Sequence, residues 1–180
     1  MASVSDWKVP ASVQPRPEDY AYDLEAALSA VVGVRAIVPS DAFTADTLGT
    51  ERAGNGVLIR ADGLVLTIGY LVTEAETIWL TLIDGRAVPG TVLAYDQSTG
   101  FGLVQALARL DLPALPLGSS SSVSVGERVV VGGAGGLVGP PSSGRLADPA
   151  GDESPTVRTS IRPDPAGPVG TAVSDPATAC

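Results

Sequence analysis

From Val31 to about Gly133, short apolar runs alternate with clusters of turn-forming residues. The runs are Val31–Val38, Gly56–Ile59, Leu64–Ile68, Thr77–Ile83, Val88–Tyr95, Gly102–Leu107 and Arg128–Val131. Their length and their content of Val, Leu, Ile and Thr predict β-strands. Two Asp-Gly pairs, Asp62-Gly63 and Asp84-Gly85, lie between such runs. A type I′ turn needs positive φ at both central residues, and these pairs are expected to supply it and close hairpins. Consecutive short hairpins hide their edges by closing into a barrel, so the pattern predicts an all-β fold with one six- to seven-stranded barrel; a sandwich is the alternative.

The pattern changes on either side of this region. Residues 1–17 carry Pro10, Pro15 and Pro17 with no apolar period and read as an extended lead-in. From Glu18 to Ala30 an acidic start, followed by Tyr22, Leu24, Ala26, Leu28 and Ser29, predicts a short amphipathic helix. After Gly136, eight of the fifteen prolines fall in the last 44 residues, where Leu, Ile, Val and Phe together number only seven. Such a stretch buries too little surface to offset its ordering entropy, which predicts disorder from Leu137 onward. The division is therefore 1–17, 18–136 and 137–180.

Charge and composition narrow the chemistry. Eleven basic against twenty acidic residues give a net charge of −9, and the basic residues are scattered singly, which argues against nucleic acid as a partner. No apolar run approaches the ~20 residues of a membrane helix, so no membrane partner is expected. The start of the chain has neither a basic stretch nor an apolar core of a signal peptide, and the only cysteine is Cys180; both point to the cytoplasm. Histidine is absent from all 180 residues. With no His and one Cys, neither a zinc site nor a Ser/His or Cys/His nucleophile pair can be assembled, and no metal or cofactor is expected.

Several motifs in order carry a resemblance. Ala53-Gly-Asn-Gly-Val-Leu-Ile-Arg-Ala-Asp-Gly-Leu-Val-Leu-Thr-Ile-Gly-Tyr-Leu-Val72 resembles the segment of HtrA-like, trypsin-fold serine proteases that leads to their catalytic histidine. Thr81-Leu-Ile-Asp-Gly-Arg86 and Val92-Leu-Ala-Tyr-Asp-Gln-Ser-Thr-Gly-Phe-Gly-Leu-Val104 resemble the stretch that carries the aspartate. Leu115-Pro-Leu-Gly-Ser-Ser120 and Val125-Gly-Glu-Arg-Val-Val130 resemble the passage from the first barrel toward the second. The resemblance spans roughly residues 31–136 and implies that the barrel is the first of the two barrels of that fold.

The same resemblance implies lost chemistry. The family's Thr-Asn-Ala-His-Val-Val pattern places its histidine at Tyr70, and its Thr-Asp-Leu-Ala-Val pattern places the aspartate at Gly100. The Gly-Asn-Ser-Gly-Gly nucleophile pattern is not found after Gly136; the nearest segment, Ala166-Gly-Pro-Val-Gly-Thr171, holds no serine, and the second barrel has no convincing counterpart. In this chemistry histidine accepts the serine proton and returns it to the leaving amine, while aspartate fixes the imidazole tautomer. A phenol with a pKa near 10 is a poor base at neutral pH, and glycine has no side chain to offer.

Other candidates have plainer readings. Val129-Val-Val-Gly-Gly-Ala-Gly-Gly136 lacks the spacing, the lysine and the following helix of a phosphate loop and reads as a flexible turn. Glu74, Glu76, Asp84 and Asp96 fall in or beside turns, as solvated charges do. Trp79 and Phe101 read as strand packing, Ser119–Ser122 as a polar loop, and Cys180 as a free thiol. The expectation is a catalytically inactive protease homologue that binds a peptide or protein. The alternatives are a truncated or frame-shifted fragment with no independent role, and an active endopeptidase with unorthodox residues.

Overall fold

Inward-facing aliphatic side chains at every second position decide the architecture. A computed structural model describes residues 14–119 and 123–133, and the backbone of 142–145 and 171–174. Six antiparallel strands close into a barrel: β1 (Val31–Ile37), β2 (Glu51–Arg60), β3 (Leu64–Ile68), β4 (Thr77–Thr81), β5 (Ala87–Asp96) and β6 (Phe101–Ala106), in the order β1-β2-β3-β6-β5-β4. Closure comes from β1, which pairs Val34 with Gly54 of β2 on one side and with Leu80 of β4 on the other. Val32, Val34 and Ala36 of β1, Leu58 of β2, Val65 of β3, Ile78 and Leu80 of β4, and Val104 of β6 fill the interior.

Both Asp-Gly pairs do turn the chain, but by a different geometry from the one expected. Gly63 and Gly85 have φ of 93° and 85°, whereas Asp62 and Asp84 stay at negative φ. The Gly63 amide donates to the Arg60 carbonyl at 3.1 Å and the Gly85 amide to the Leu82 carbonyl at 2.9 Å. These are longer loops with a single left-handed glycine, not type I′ turns. The first is preceded by a register shift between Leu58 and Arg60, a bulge of the kind that accompanies such loops.

The helix is shorter than the sequence pattern implied. Pro17–Asp19 forms one 3-10 turn, and α1 runs only over Leu24–Ser29. Asp23, not the Glu18-Asp19 pair, is its N-cap, its carboxylate accepting from the Ala26 amide at 3.0 Å. Two further single turns follow: α2 (Ala45–Leu48) in the β1–β2 loop, and α3 (Gly69–Val72) directly after β3. Leu71 and Val72 of α3 are buried in the barrel core.

The seventh run, β7 (Arg128–Gly132), is not part of the barrel. It forms the centre of a three-stranded sheet with β8 (Ser142–Arg145) and β9 (Thr171–Ser174), pairing Val130 with Ser143 and with Val173. β8 and β9 fall within the stretch from Leu137 onward where the sequence predicts disorder; the rest of 137–180 lies outside the described residues. The sheet lies against the barrel: β9 runs near β2, and a Cβ on Gly132 would stand 2.8 Å from Leu28 of α1. Arg128 ties in the N-terminal segment, donating to the Asp19 carbonyl at 2.9 Å with its guanidinium 5.3 Å above the Tyr20 ring.

Candidate functional site

Tyr70 and Gly100, thirty positions apart in sequence, are brought together by one backbone bond. Tyr70 is the second residue of α3, and Gly100 ends the Asp96–Gly100 turn between β5 and β6. The Gly69 amide donates to the Gly100 carbonyl at 2.7 Å, while the Gly100 amide donates to the Asp96 carbonyl at 2.8 Å. Gly100 has a φ of 75°, and a Cβ added to it would meet nothing within 4 Å. Gly69 is the opposite case: a Cβ there would overlap Cε2 and Cδ2 of Tyr95, so the ring of Tyr95 lies directly over its Cα.

Tyr70 is half-buried at the edge of the core, and its hydroxyl donates to the Ala53 carbonyl at 3.3 Å. Burial pushes its phenol above the ordinary 10.0, with the Arg52 guanidinium offsetting part of the effect. At neutral pH the phenol is therefore protonated and cannot serve as a general base. With no carboxylate on Gly100, this pair of positions has neither a general base nor a carboxylate to orient one.

A polar network adjoins Tyr70 that the sequence reading missed. Arg52 is only 2% exposed. Its Nη1 donates to the carbonyls of Tyr70 at 2.6 Å and Thr73 at 2.9 Å, its Nε to the Gly49 carbonyl at 3.2 Å, and its Nη2 to the Thr44 hydroxyl at 2.7 Å. The Glu74 carboxylate accepts from the amides of Phe43 at 3.0 Å and Thr44 at 2.8 Å and from the Thr44 hydroxyl. Those bonds, chiefly the ones from Thr44, hold the Glu74 carboxyl below its ordinary value. A signal was available: residues 52, 54, 56 and 58 share one parity, and Leu58 faces the core. The expected strand began at Gly56, so the inward-facing arginine lay outside it.

The remaining candidates do not converge. Asp84 bonds to the amide of Arg86 at 2.9 Å and to its Nε at 2.6 Å. Asp96 accepts from the Ser98 amide at 2.9 Å and from the hydroxyls of Ser98 and Thr99, each at 2.8 Å. Glu76 is exposed. Among the described residues no three of His, Cys, Asp and Glu are grouped so as to hold a metal ion. Trp79 and Phe101 both lie on the outer face of the barrel, Trp79 across from Arg35 and Pro89, and Phe101 across from Ile68 and Asp96. Ser119 is exposed; Ser120–Ser122, residues 134–136, 166–170 and Cys180 lie outside the described residues.

Comparison with known proteins shows the family and the fold. The family model described as a trypsin-like peptidase domain matches residues 54–175, from β2 through β9. A probable periplasmic serine endoprotease DegP-like from Hahella chejuensis is 34% identical over 80 residues, which is 44% of this chain and 17% of that protein. A putative serine protease HhoA from Synechocystis sp. is 36% identical over 86 residues, 47% of this chain and 22% of that protein. The chain thus spans about a fifth of the length of these relatives. Among solved structures, an HtrA-type protease, an AlgW variant with tripeptide, superimposes with a TM-score of 0.58 at 21% identity, covering 69% of this chain and 38% of that one. That likeness is one of fold.

Proposed function

This chain belongs to the trypsin-like peptidase domain family, and from that premise we propose that it is a catalytically inactive member that retains the barrel as a module for binding a peptide or protein. The observation that carries the reading is the pairing of Tyr70 and Gly100. They stand side by side through the Gly69–Gly100 bond, at the positions where the HtrA pattern has histidine and aspartate, and neither supplies a base or a carboxylate.

Loss at these positions removes the proton relay as a whole. Members of a triad act as a unit, and losing them lowers turnover by about 10⁴- to 10⁶-fold. No histidine elsewhere in the 180 residues can substitute. The barrel framework meanwhile keeps its closed hydrogen bonding and its filled core. A retained scaffold without its reactive groups fits recognition better than hydrolysis.

Fluorescein-labelled casein tests both halves. The purified chain is expected to bind it saturably, read as an increase in fluorescence anisotropy, and to release no labelled fragments. Turnover that disappears in Tyr70→Phe overturns inactivity. Unchanged anisotropy at every protein concentration counts against the binding role.

A further inference from the structure

Glu74 joins two elements that have no other side-chain carboxylate between them among the described residues: the β1–β2 loop, residues 38–50, and the α3 turn that carries Tyr70. Its backbone φ is 57°, a left-handed conformation disfavoured for a residue with a Cβ. Such a conformation persists when surrounding contacts over-determine it, and here they are the bonds of the side chain together with the flanking amides of Thr73, Ala75 and Glu76, which donate to the carbonyls of Gly69, Val72 and Ile37. One carboxylate gathers the Phe43 amide, the Thr44 amide and the Thr44 hydroxyl. The same hydroxyl accepts from Arg52, whose other donors hold the carbonyls of Tyr70 and Thr73. An unbroken line of hydrogen bonds therefore runs from the loop, through Thr44 and Arg52, to the carbonyls of Tyr70 and Thr73.

Arg52 also holds the loop, at the Thr44 hydroxyl and the Gly49 carbonyl, and Val38 and Ala45 are buried, which leaves the backbone of its tip as the part that depends on Glu74. The loop's remaining backbone bonds, such as Ala42 to Pro39 and Leu48 to Thr44, are internal, apart from the Val38–Thr50 bond at its base. At its tip Phe43 is 93% exposed, with no core contact to anchor it.

We propose that Glu74 is a proton-operated latch: as a carboxylate it clips the β1–β2 loop, with Phe43 at its tip, onto the α3 turn, and on protonation it lets that tip go. All three groups that Glu74 engages are donors, so they need an acceptor-only partner. Protonation turns one oxygen into a donor and removes the charge that makes such bonds about twice as strong as neutral ones. Arg52 on β2 is the cation facing Glu74, and Tyr70 on α3 contributes a neutral phenol. The loop's own ionisable groups, Asp41 and Asp46, and the following Glu76 are exposed carboxylates. The latch is itself exposed, so solvent protons reach it directly. Arg52 keeps its bonds to the α3 carbonyls and to Thr44 and Gly49 of the loop when the latch opens, which confines the change to the backbone at the loop's tip. The device stands whether or not the barrel binds a peptide.

Amide proton–nitrogen NMR of the full chain reads the latch. On titration from pH 7 to pH 3, the Phe43 and Thr44 amides are expected to shift together, with one midpoint below the ordinary 4.5 of a glutamate. In Glu74→Gln at pH 7, hydrogen-exchange protection at Phe43 and Thr44 is expected to fall at least tenfold, while Val104 in the core keeps its protection. Glu74→Gly guards the result against misfolding, because it relaxes the left-handed backbone while removing the carboxylate, and it is expected to lose the same protection. Unchanged protection at Phe43 and Thr44 in both variants, or amide shifts that ignore the titration, overturns the proposal.

Discussion

The amide of Gly69 donates to the carbonyl of Gly100 at 2.7 Å, and that bond sets the residue before Tyr70 against the end of the β5–β6 turn. Tyr95, from the same hairpin, lays its ring over Gly69. The two positions proposed as counterparts of the protease's histidine and aspartate are thus neighbours through their backbone. The space above Gly69 is filled by an aromatic ring, and neither position carries an imidazole or a carboxylate.

Restoring the family's residues does not restore the chemistry. In Tyr70→His with Gly100→Asp, the new carboxylate starts from a Cβ with no neighbour within 4 Å, so nothing packs it toward the imidazole. The aspartate also inherits a φ of 75°, at a cost of about 1 kcal/mol. The expected result is no casein turnover above buffer and a small loss of stability in urea denaturation. Turnover in this double variant would show that a nucleophile exists outside the segment Ala166–Thr171.

Gly69→Ala tests the close approach of Tyr95. The added methyl overlaps the ring and stands 3.0 Å from the Gly100 carbonyl oxygen, so both must shift. A destabilisation of about 1–3 kcal/mol follows from such overpacking. Because Tyr95 is partly exposed, its ring can swing away, and combining the change with Tyr95→Ala should recover most of the loss. A double-mutant cycle measured by urea denaturation checks this; strict additivity would mean that the ring does not enforce glycine at 69.

The barrel was legible because its strands alternate and its turns carry glycine. Leu64–Ile68 was placed to the residue, and Val31–Val38 and Val88–Tyr95 to within one position at each end. Tyr70 and Gly100 were legible as neighbours only through the resemblance, since the bond joining them is between backbone groups and leaves no mark on side-chain pattern. Arg52 was hidden for a different reason. A charged residue counts against a strand in a pattern of apolar runs, yet here it faces inward and serves carbonyls that the α3 turn and the preceding loop leave unpaired. The strands β8 and β9 were hidden because four-residue segments containing Ser, Gly and Thr carry little periodicity, and their partner lies up to 45 residues away, as Val129 does from Ser174.

Arg52→Leu is expected to be among the most damaging single changes in the barrel. The substitution leaves the carbonyls of Gly49, Tyr70 and Thr73 without their buried donor. Each unsatisfied group costs about 1–3 kcal/mol, and relaxation toward water brings the sum to about 3–5 kcal/mol. Arg52→Lys keeps the charge but not the planar fork that reaches several acceptors at once, so it should recover only part of the loss. Chemical denaturation of the two variants gives the comparison; a loss under 1 kcal/mol in Arg52→Leu would show that the network is dispensable.

Leu71→Ala tests whether α3 is a plug for the barrel core or a surface turn. The side chain is fully buried, and its Cδ1 would stand 2.8 Å from a Cβ on Gly54. Removing it leaves a cavity beside a glycine that cannot fill it, with an expected loss of about 2–5 kcal/mol in urea denaturation.

Acid should weaken the fold over a defined range. Asp84 is held below its ordinary 3.8 first by the Arg86 amide and then by its side chain, and Asp96 by the Thr99 hydroxyl followed by Ser98. A carboxylate with a depressed folded pKa contributes stability that is complete above its unfolded value and is lost as pH falls through the folded one. The urea midpoint is therefore expected to be steady with respect to these two groups from pH 7 to about pH 5, and to decline from about pH 4 downward. Both carboxylates are exposed, so each contribution is small, and the informative comparison is with Asp84→Asn/Asp96→Asn. That variant should start with a lower midpoint at pH 7 and fall less steeply in acid, the two curves converging as the wild-type carboxylates take up protons. Parallel curves across the whole range would show that these turn bonds do not couple protonation to folding.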